Sequence, residues 1–97
     1  MLAFANALTS RKLLNADNTK LLTTGKVEMG PNIKYAYGFM ESIDDGQRCF
    51  GHSGGAPGMN GKLTICDNGY TVVVLANLDP PVADVVEKFV LARLPLK

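Results

Sequence analysis

Two short turn sequences restrict the folds that this chain can adopt. Asp44-Asp45-Gly46 and Asp67-Asn68-Gly69 both end in glycine, and Asp-Gly and Asn-Gly pairs tolerate the positive φ angles that tight hairpin turns need. The segments beside these turns are rich in β-branched and aromatic residues, a composition typical of strands. We therefore predict about four antiparallel strands in hairpin order, over residues 35–43, 47–53, 61–67 and 70–77.

The last two of these segments differ in their hydrophobic pattern. In residues 61–67, Leu63 and Ile65 alternate with Lys62 and Thr64, which predicts a strand buried on one face only. The next segment contains the continuous apolar run Val72–Ala76. Such a run is typical of a strand that is covered on both faces.

Helical patterns occur at both ends of the chain. Leu2, Ala5 and Leu8 have helical spacing and predict a helix within residues 1–14. Asp17 or Asn18 can cap a short second helix that ends before Gly25. Residues 26–34 have the composition of a loop with its turn at Gly30-Pro31-Asn32.

A third helix is predicted after Asp79-Pro80-Pro81, with Asp79 as its cap and the prolines in its first turn. Its apolar side chains recur at steps of three and four residues, and this stripe should lie on the sheet: Val82, Val85, Val86, Phe89 and Val90. The whole pattern predicts one small α+β domain over residues 1–97, with helices packed on an antiparallel sheet.

The composition excludes several classes of function. Ten basic and nine acidic side chains give a net charge of +1 without a basic cluster, so we expect no nucleic-acid partner. The longest apolar run falls far short of the roughly 20 residues of a membrane helix, so we expect no membrane partner. No signal peptide is visible in the first residues, which have the pattern of an amphipathic helix.

The two cysteines leave two alternatives open. Cys49 and Cys66 match no metal-ligand spacing, and His52 is the only histidine that could join them, so no metal site is predicted. The cysteines could face each other on paired strands as a disulfide, or remain buried free thiols. We favour free thiols.

The most unusual segment is GHSGGAPG at residues 51–58. Residues 51–55 match the Gly-x-Ser-x-Gly nucleophile elbow, but that motif requires a histidine after the serine. No histidine follows Ser53, and a serine without a positioned base is a weak nucleophile. The phosphate-loop and dinucleotide-binding patterns also fail, so we predict no cofactor.

Two interpretations of this segment remain on the residues alone. In one, His52 and Ser53 lie at the end of a strand, and the absence of side chains at Gly54 and Gly55 lets a ligand approach the backbone amides. In the other, the glycines form a mobile loop, and His52 is an ordinary surface or hydrogen-bonded histidine.

An ordered set of features resembles a known superfamily. These features are the strand YAYGF, then GHSGGAPG, an Asn-Gly hairpin, the strand TVVVLAN and a final helix. Residues 35–94 thereby resemble the C-terminal segment of the serine β-lactamase and penicillin-binding-protein superfamily, especially its class C-like β-lactamases, esterases and D-amino-acid peptidases. In these enzymes a Lys-Thr-Gly motif, or its His-Ser-Gly variant, forms one wall of the active site.

The resemblance implies a role for each residue of the motif. His52 would set the electrostatics beside the nucleophile or bind substrate, and Ser53 would hydrogen-bond the substrate without attacking it. Gly54 completes the motif, and Gly55 matches the residue whose amide is one of two oxyanion donors. Members of this superfamily are often periplasmic or secreted, but the sequence leaves the localisation open.

The chain also departs from the superfamily. Neither a Ser-x-x-Lys nucleophile motif nor a Tyr-x-Asn motif occurs. We therefore expect the C-terminal part of a β-lactamase-like serine hydrolase, inactive by itself, whose substrate is a small molecule or peptide bound by the parent domain. The alternative is a non-catalytic binding module. An exposed sheet edge should pair either with the missing N-terminal half or with a second copy.

Overall fold

The computed structural model describes residues 1–44 and 46–95, so Asp45 of the first predicted turn lies outside the described residues. Helices α1 (Leu2–Thr9) and α2 (Ala16–Thr23) precede the strands, and α3 (Val82–Leu91) follows them. The strands are β1 (Val27–Gly30), β2 (Ile33–Tyr35), β3 (Met40–Asp44), β4 (Gln47–Ala56), β5 (Met59–Cys66) and β6 (Thr71–Ala76). They form one antiparallel sheet in chain order. The predicted α+β class is confirmed.

The sheet has six strands rather than about four. The prediction of a loop over residues 26–34 was wrong, because β1 and β2 pair across a turn in which Asn32 has a φ of 63°. These strands are short and mostly exposed, so they carry no alternating hydrophobic pattern. The predicted strand over residues 35–43 is interrupted, since Gly38 has a φ of 82° and β3 begins at Met40.

The two N-terminal helices form as predicted, with different ends. α1 stops at Thr9 rather than near residue 14. The cap of α2 is Asn15 rather than Asp17 or Asn18, because the Asn15 side chain accepts a hydrogen bond of 2.8 Å from the Asn18 amide.

Helices cover both faces of the sheet. Ala5 and Leu8 of α1 form a buried cluster with Phe50, Leu63 and Ile65 on one face. Neighbouring residues of a strand point to opposite faces, so Thr64 lies on the other face. There its hydroxyl donates a 2.9 Å hydrogen bond to Glu87 of α3.

The apolar stripe of α3 does not lie on the sheet, which corrects the prediction. Ala83 and Glu87 are the buried residues of this helix, whereas Val85, Val86 and Phe89 are 61%, 41% and 58% exposed. The side facing the sheet is held instead by polar contacts such as the Thr64–Glu87 bond. Periodicity identified an apolar face but not the element that covers it.

Strand β6 is one of the two edge strands of the sheet, and the prediction that both its faces are covered holds for only part of the strand. Val73 packs against the buried cluster on the face of α1. Leu75 is 72% exposed, whereas Val72 is buried. The turn before β6 forms at the predicted place, with a φ of 99° at Gly69. None of the helices within the described residues is both long enough and apolar enough to span a bilayer.

Cys49 and Cys66 form a disulfide, so the alternative of free thiols is excluded. They are directly opposite each other in the β4–β5 ladder, with their Cα atoms 4.0 Å apart. The cross-link closes a segment with a sequence separation of 17. A loop of this length restricts the unfolded chain and stabilises the fold by about 3 kcal/mol.

A network around Arg48 ties the sheet to the end of α2. Its guanidinium contacts the Glu41 carboxylate at 2.5 Å and the Asp67 carboxylate at 3.0 Å, and it donates to the Thr23 carbonyl at 3.0 Å. The second oxygen of Glu41 accepts from the Gly25 amide at 3.0 Å. Glu41 is buried, so loss of Arg48 would leave an unpaired charge in the interior.

This network predicts a pH dependence of stability. Burial raises the pKa of Glu41, but the hydrogen bonds from Arg48 and Gly25 outweigh burial and hold that pKa below its ordinary 4.5. The unfolded state then binds the proton more tightly, so this stabilisation is present above pH 4.5 and is lost as the pH falls through the folded-state pKa. Urea unfolding between about pH 6 and about pH 3 should therefore show a steeper loss of stability in the wild type than in Glu41→Gln.

The matched control is Glu28→Gln, since Glu28 is an exposed carboxylate on β1. That variant should retain the wild-type slope. Parallel curves for the wild type and Glu41→Gln would contradict the assigned role of Glu41.

Candidate functional site

The glycine-rich segment lies on a part of β4 that extends past its neighbour. Pairing between β3 and β4 ends at Met40 and Gly51, whereas pairing between β4 and β5 continues to Ala56 and Met59. Residues 52–56 therefore have a strand on one side and an open edge on the other. His52, Ser53, Gly54 and Gly55 are extended, as expected for a strand end and not for a mobile loop.

The disulfide reveals which backbone groups point to this open edge. In antiparallel ladders the closer residue pairs, about 4.5 Å apart at Cα, exchange no backbone hydrogen bonds, and such pairs alternate with hydrogen-bonded ones. The 4.0 Å pair Cys49–Cys66 belongs to the closer type, so Ser53 and Gly55 do as well. Their N–H and C=O groups consequently point away from β5 toward the open edge.

The other end of the ladder agrees with this alternation. Ala56 pairs with Met59 across the two-residue turn Pro57-Gly58, and the pair that closes such a hairpin is hydrogen-bonded. Two residues with the opposite phase, Ser53 and Gly55, then present outward amides. Two amide donors on one edge can bind an oxygen-rich or anionic group.

His52 is exposed and has partners for both ring nitrogens. Nδ1 faces the Ser53 carbonyl, and Nε2 is 3.2 Å from the Tyr35 hydroxyl. A carbonyl oxygen can only accept, so the Nδ1 nitrogen that faces it carries the proton of that contact. The imidazole is thereby fixed beside the edge, in an edge-to-face contact with the Tyr35 ring.

The two adjacent glycines have different surroundings. A Cβ atom added at Gly54 would meet nothing within 4 Å. A Cβ atom at Gly55 would collide with the Pro80 ring and lie 3.2 Å from Nδ2 of Asn60. Gly54 therefore borders open space, whereas Gly55 lies against the turn that leads into α3.

Sequence reasoning missed three residues at this site: Tyr35, Asn60 and Pro80. Asn60 is only 5% exposed and bonds the Gly54 carbonyl. A two-residue turn at Pro57-Gly58 would have placed Asn60 opposite Gly55, so the signal was present in the turn chemistry. Asp79 was assigned incorrectly, because its carboxylate accepts from the Gly58 amide at 2.6 Å and the N-cap of α3 is Pro81.

Residues 1–44 and 46–95 contain no group of side chains suited to binding a metal ion. No cluster of three or more histidine, cysteine, aspartate or glutamate residues that could hold a metal ion occurs there. The groups gathered at the β4 edge are backbone amides, an imidazole and two hydroxyls. They can bind and orient a ligand through hydrogen bonds.

Comparison with solved structures shows a related fold. The chain is similar to part of the crystal structure of a penicillin binding protein from Bacillus halodurans, with a TM-score of 0.77 and 27% sequence identity. The match covers 90% of this chain but only 27% of that protein. Neither a protein-family model nor a curated protein sequence matches the chain. The fold thus resembles a piece of a penicillin-binding protein, and this is compatible with a fragment of a serine hydrolase-like fold.

The unequal glycines give a test of the site geometry. Gly55→Ala should lower the free energy of unfolding by about 1–3 kcal/mol, because the new methyl group must displace the rigid Pro80 ring. Gly54→Ala should change it by less than about 1 kcal/mol, since its methyl group enters open space. Urea unfolding of both variants measures the difference. Equal losses would contradict the close packing of Pro80 against Gly55.

Proposed function

We propose that the chain is one part of a β-lactamase-like serine hydrolase and supplies one wall of an acyl-transfer site. The observation that carries this proposal is the open edge of β4, where Ser53 and Gly55 present outward amides beside an anchored imidazole. The similarity to a piece of a penicillin binding protein supports it.

Each residue of the edge has a distinct proposed role. The Gly55 amide is one of two donors to the oxyanion that forms when a serine attacks a carbonyl. The Ser53 hydroxyl hydrogen-bonds the substrate, and His52 contributes electrostatics or substrate binding beside the nucleophile. Gly54 leaves room for the substrate to lie against the strand, since nothing lies within 4 Å of its missing side chain.

The nucleophile itself is not among the residues of this chain. Its serines are Ser10, Ser42 and Ser53, and none is followed by lysine at the third position. Ser53 is beside His52, but both nitrogens of that ring already face other partners. We therefore propose that the attacking serine and its base belong to additional polypeptide.

A chimera tests this division of roles. This chain should replace the matching 27% of the Bacillus halodurans protein, and a fluorescent penicillin should then label the chimera covalently. Ser53→Ala should slow labelling about tenfold, the effect of one lost hydrogen bond of about 1.4 kcal/mol, without abolishing it. Ser42→Ala, on β3, is the matched control and should leave the rate unchanged.

The isolated 97-residue chain should show neither labelling nor hydrolysis of nitrocefin or p-nitrophenyl esters. Hydrolysis by the isolated chain that disappears in Ser53→Ala would overturn the proposal, because it would make Ser53 the nucleophile.

A surface at the β6 edge of the sheet fits the polypeptide that brings the nucleophile. Strand β6 is an edge with no charged residue or proline, and such an edge is able to pair with another strand. The exposed stripe of Val85, Val86 and Phe89 provides an apolar helix face beside it. Most of the similar penicillin binding protein lies outside the match, and we propose that the corresponding polypeptide occupies this surface.

The geometry of α3 places the Val86 side of this stripe toward β6. Lys88 and Leu91 line a groove above β3 and β4. On a helix with 3.6 residues per turn, Val86 lies on the opposite side from Lys88, which is the side of the free sheet edge. A strand added to β6 would therefore widen the sheet, and a second helix packed on the added strand could cover the apolar stripe of α3.

Substitutions on the two sides of α3 test this surface. Val86→Asp should abolish binding of the isolated chain to the remaining part of the Bacillus halodurans protein, because it places a charge in an apolar interface. Lys88→Asp, on the other side of the helix, should bind as the wild type does. Analytical ultracentrifugation of the mixture measures binding. A dimer of the isolated chain that Val86→Asp dissociates would instead assign the surface to a second copy.

A further inference from the structure

We propose that Asn60 is a positioning residue that orients the peptide between Gly54 and Gly55 and thereby aims the Gly55 amide at the open edge. The inference rests on the proposed acyl-transfer site for its functional meaning. Its structural basis is independent of that site and comes from a single buried carboxamide with two partners.

The first partner is the carbonyl of Gly54. Nδ2 of Asn60 donates to this oxygen at 2.9 Å. The Gly54 carbonyl and the Gly55 N–H belong to one planar trans peptide and point in opposite directions. A side chain that holds the carbonyl toward β5 consequently holds the Gly55 N–H toward the open edge.

The second partner fixes the carboxamide itself. Oδ1 of Asn60 accepts a 2.6 Å hydrogen bond from the Ala83 amide in the first turn of α3. A backbone N–H can only donate and a carbonyl can only accept. Rotating the carboxamide by 180° would place its NH₂ group against the Ala83 N–H and its oxygen against the Gly54 carbonyl, so both hydrogen bonds would be lost. Asn60 therefore has one favourable orientation, and it links the start of α3 to the Gly54 carbonyl.

The peptide is also supported from the side of Gly55. The Pro80 ring lies where a Gly55 side chain would be, and Nδ2 of Asn60 is 3.2 Å from the same position. Glycine has more backbone freedom than any other residue, and this part of β4 is paired on one side only. The contacts with Pro80 and Asn60 therefore restrict two successive glycines that the ladder holds from one side only.

A purely structural role would be redundant with other contacts between β5 and α3. Thr64 bonds Glu87 at 2.9 Å, and Lys62 contacts Asp84 at 3.3 Å. Asn60 differs from both because it also bonds the main chain of β4, at the peptide that carries the proposed oxyanion donor. Thr64→Val is therefore a matched control, since it removes a buried hydrogen bond between the same two elements.

Backbone ¹⁵N relaxation on the isolated chain provides the first test. In the wild type the Gly55 order parameter should be near the rigid value of about 0.85. In Asn60→Asp, which retains an acceptor for Ala83 but has no donor for Gly54, it should fall toward about 0.6. Thr64→Val should leave it unchanged. Should Asn60→Asp fail to fold, Asn60→Ala removes the same donor without adding a charge.

Rigid Gly55 in an Asn60 variant, or equal loosening of Gly55 in Thr64→Val, would overturn the assignment. The penicillin-labelled chimera gives the second test, in which Asn60→Asp should slow labelling about 100-fold and Thr64→Val should not. If Asn60→Asp and Thr64→Val slow labelling equally, the positioning role is wrong. If the unsubstituted chimera is never labelled, the acyl-transfer proposal fails, whereas the relaxation result still decides the role of Asn60.

Discussion

The β4–β5 ladder is the constraint on which the rest of the structure depends. Its phase is fixed at one end by the Cys49–Cys66 pair and at the other by the turn after Ala56. A shift by one residue would exchange inward and outward backbone groups at every position between them. The same shift would move Phe50 and Ile65 out of the buried cluster. Burial of the core and exposure of the Gly55 amide therefore both depend on the same β4–β5 register.

The site is supported from one side and open on the other. Pro80 lies in the turn before α3, and Asn60 of β5 bonds the first turn of that helix. Both contact the peptide at Gly55 from the face that α3 covers. On the other face, Gly54 borders open space. A rigid amide next to an open surface is the arrangement that favours electrostatic stabilisation, because the donor need not reorganise when charge develops. This division is the reason we expect the two adjacent glycines to tolerate substitution differently.

The residues of the turns predicted the arrangement of the sheet better than the spacing of the apolar residues did. Asn68-Gly69 forms the expected hairpin because few residues accept its backbone angles. Strands β1 and β2 escaped prediction because their side chains are exposed and irregular. The orientation of α3 was wrong because periodicity shows that a helix has an apolar face but not which molecule covers it. His52 and Ser53 were recognisable as unusual residues, whereas Asn60 acquires meaning only from the register that places it opposite Gly55.

The uncovered surface and the proposed need for a nucleophile from elsewhere have a common explanation. A chain of 97 residues buries only about 60–65% of its unfolded surface, so an exposed stripe such as Val85, Val86 and Phe89 weakens an already small core. The disulfide and the Arg48 network offset this weakness by joining strands and α2 covalently and electrostatically. The disulfide and the Arg48 network stabilise the conformation of β4, but they do not provide the nucleophile of the proposed reaction. A polypeptide that paired with β6 and covered α3 would complete the core, and we propose that the same polypeptide carries the serine.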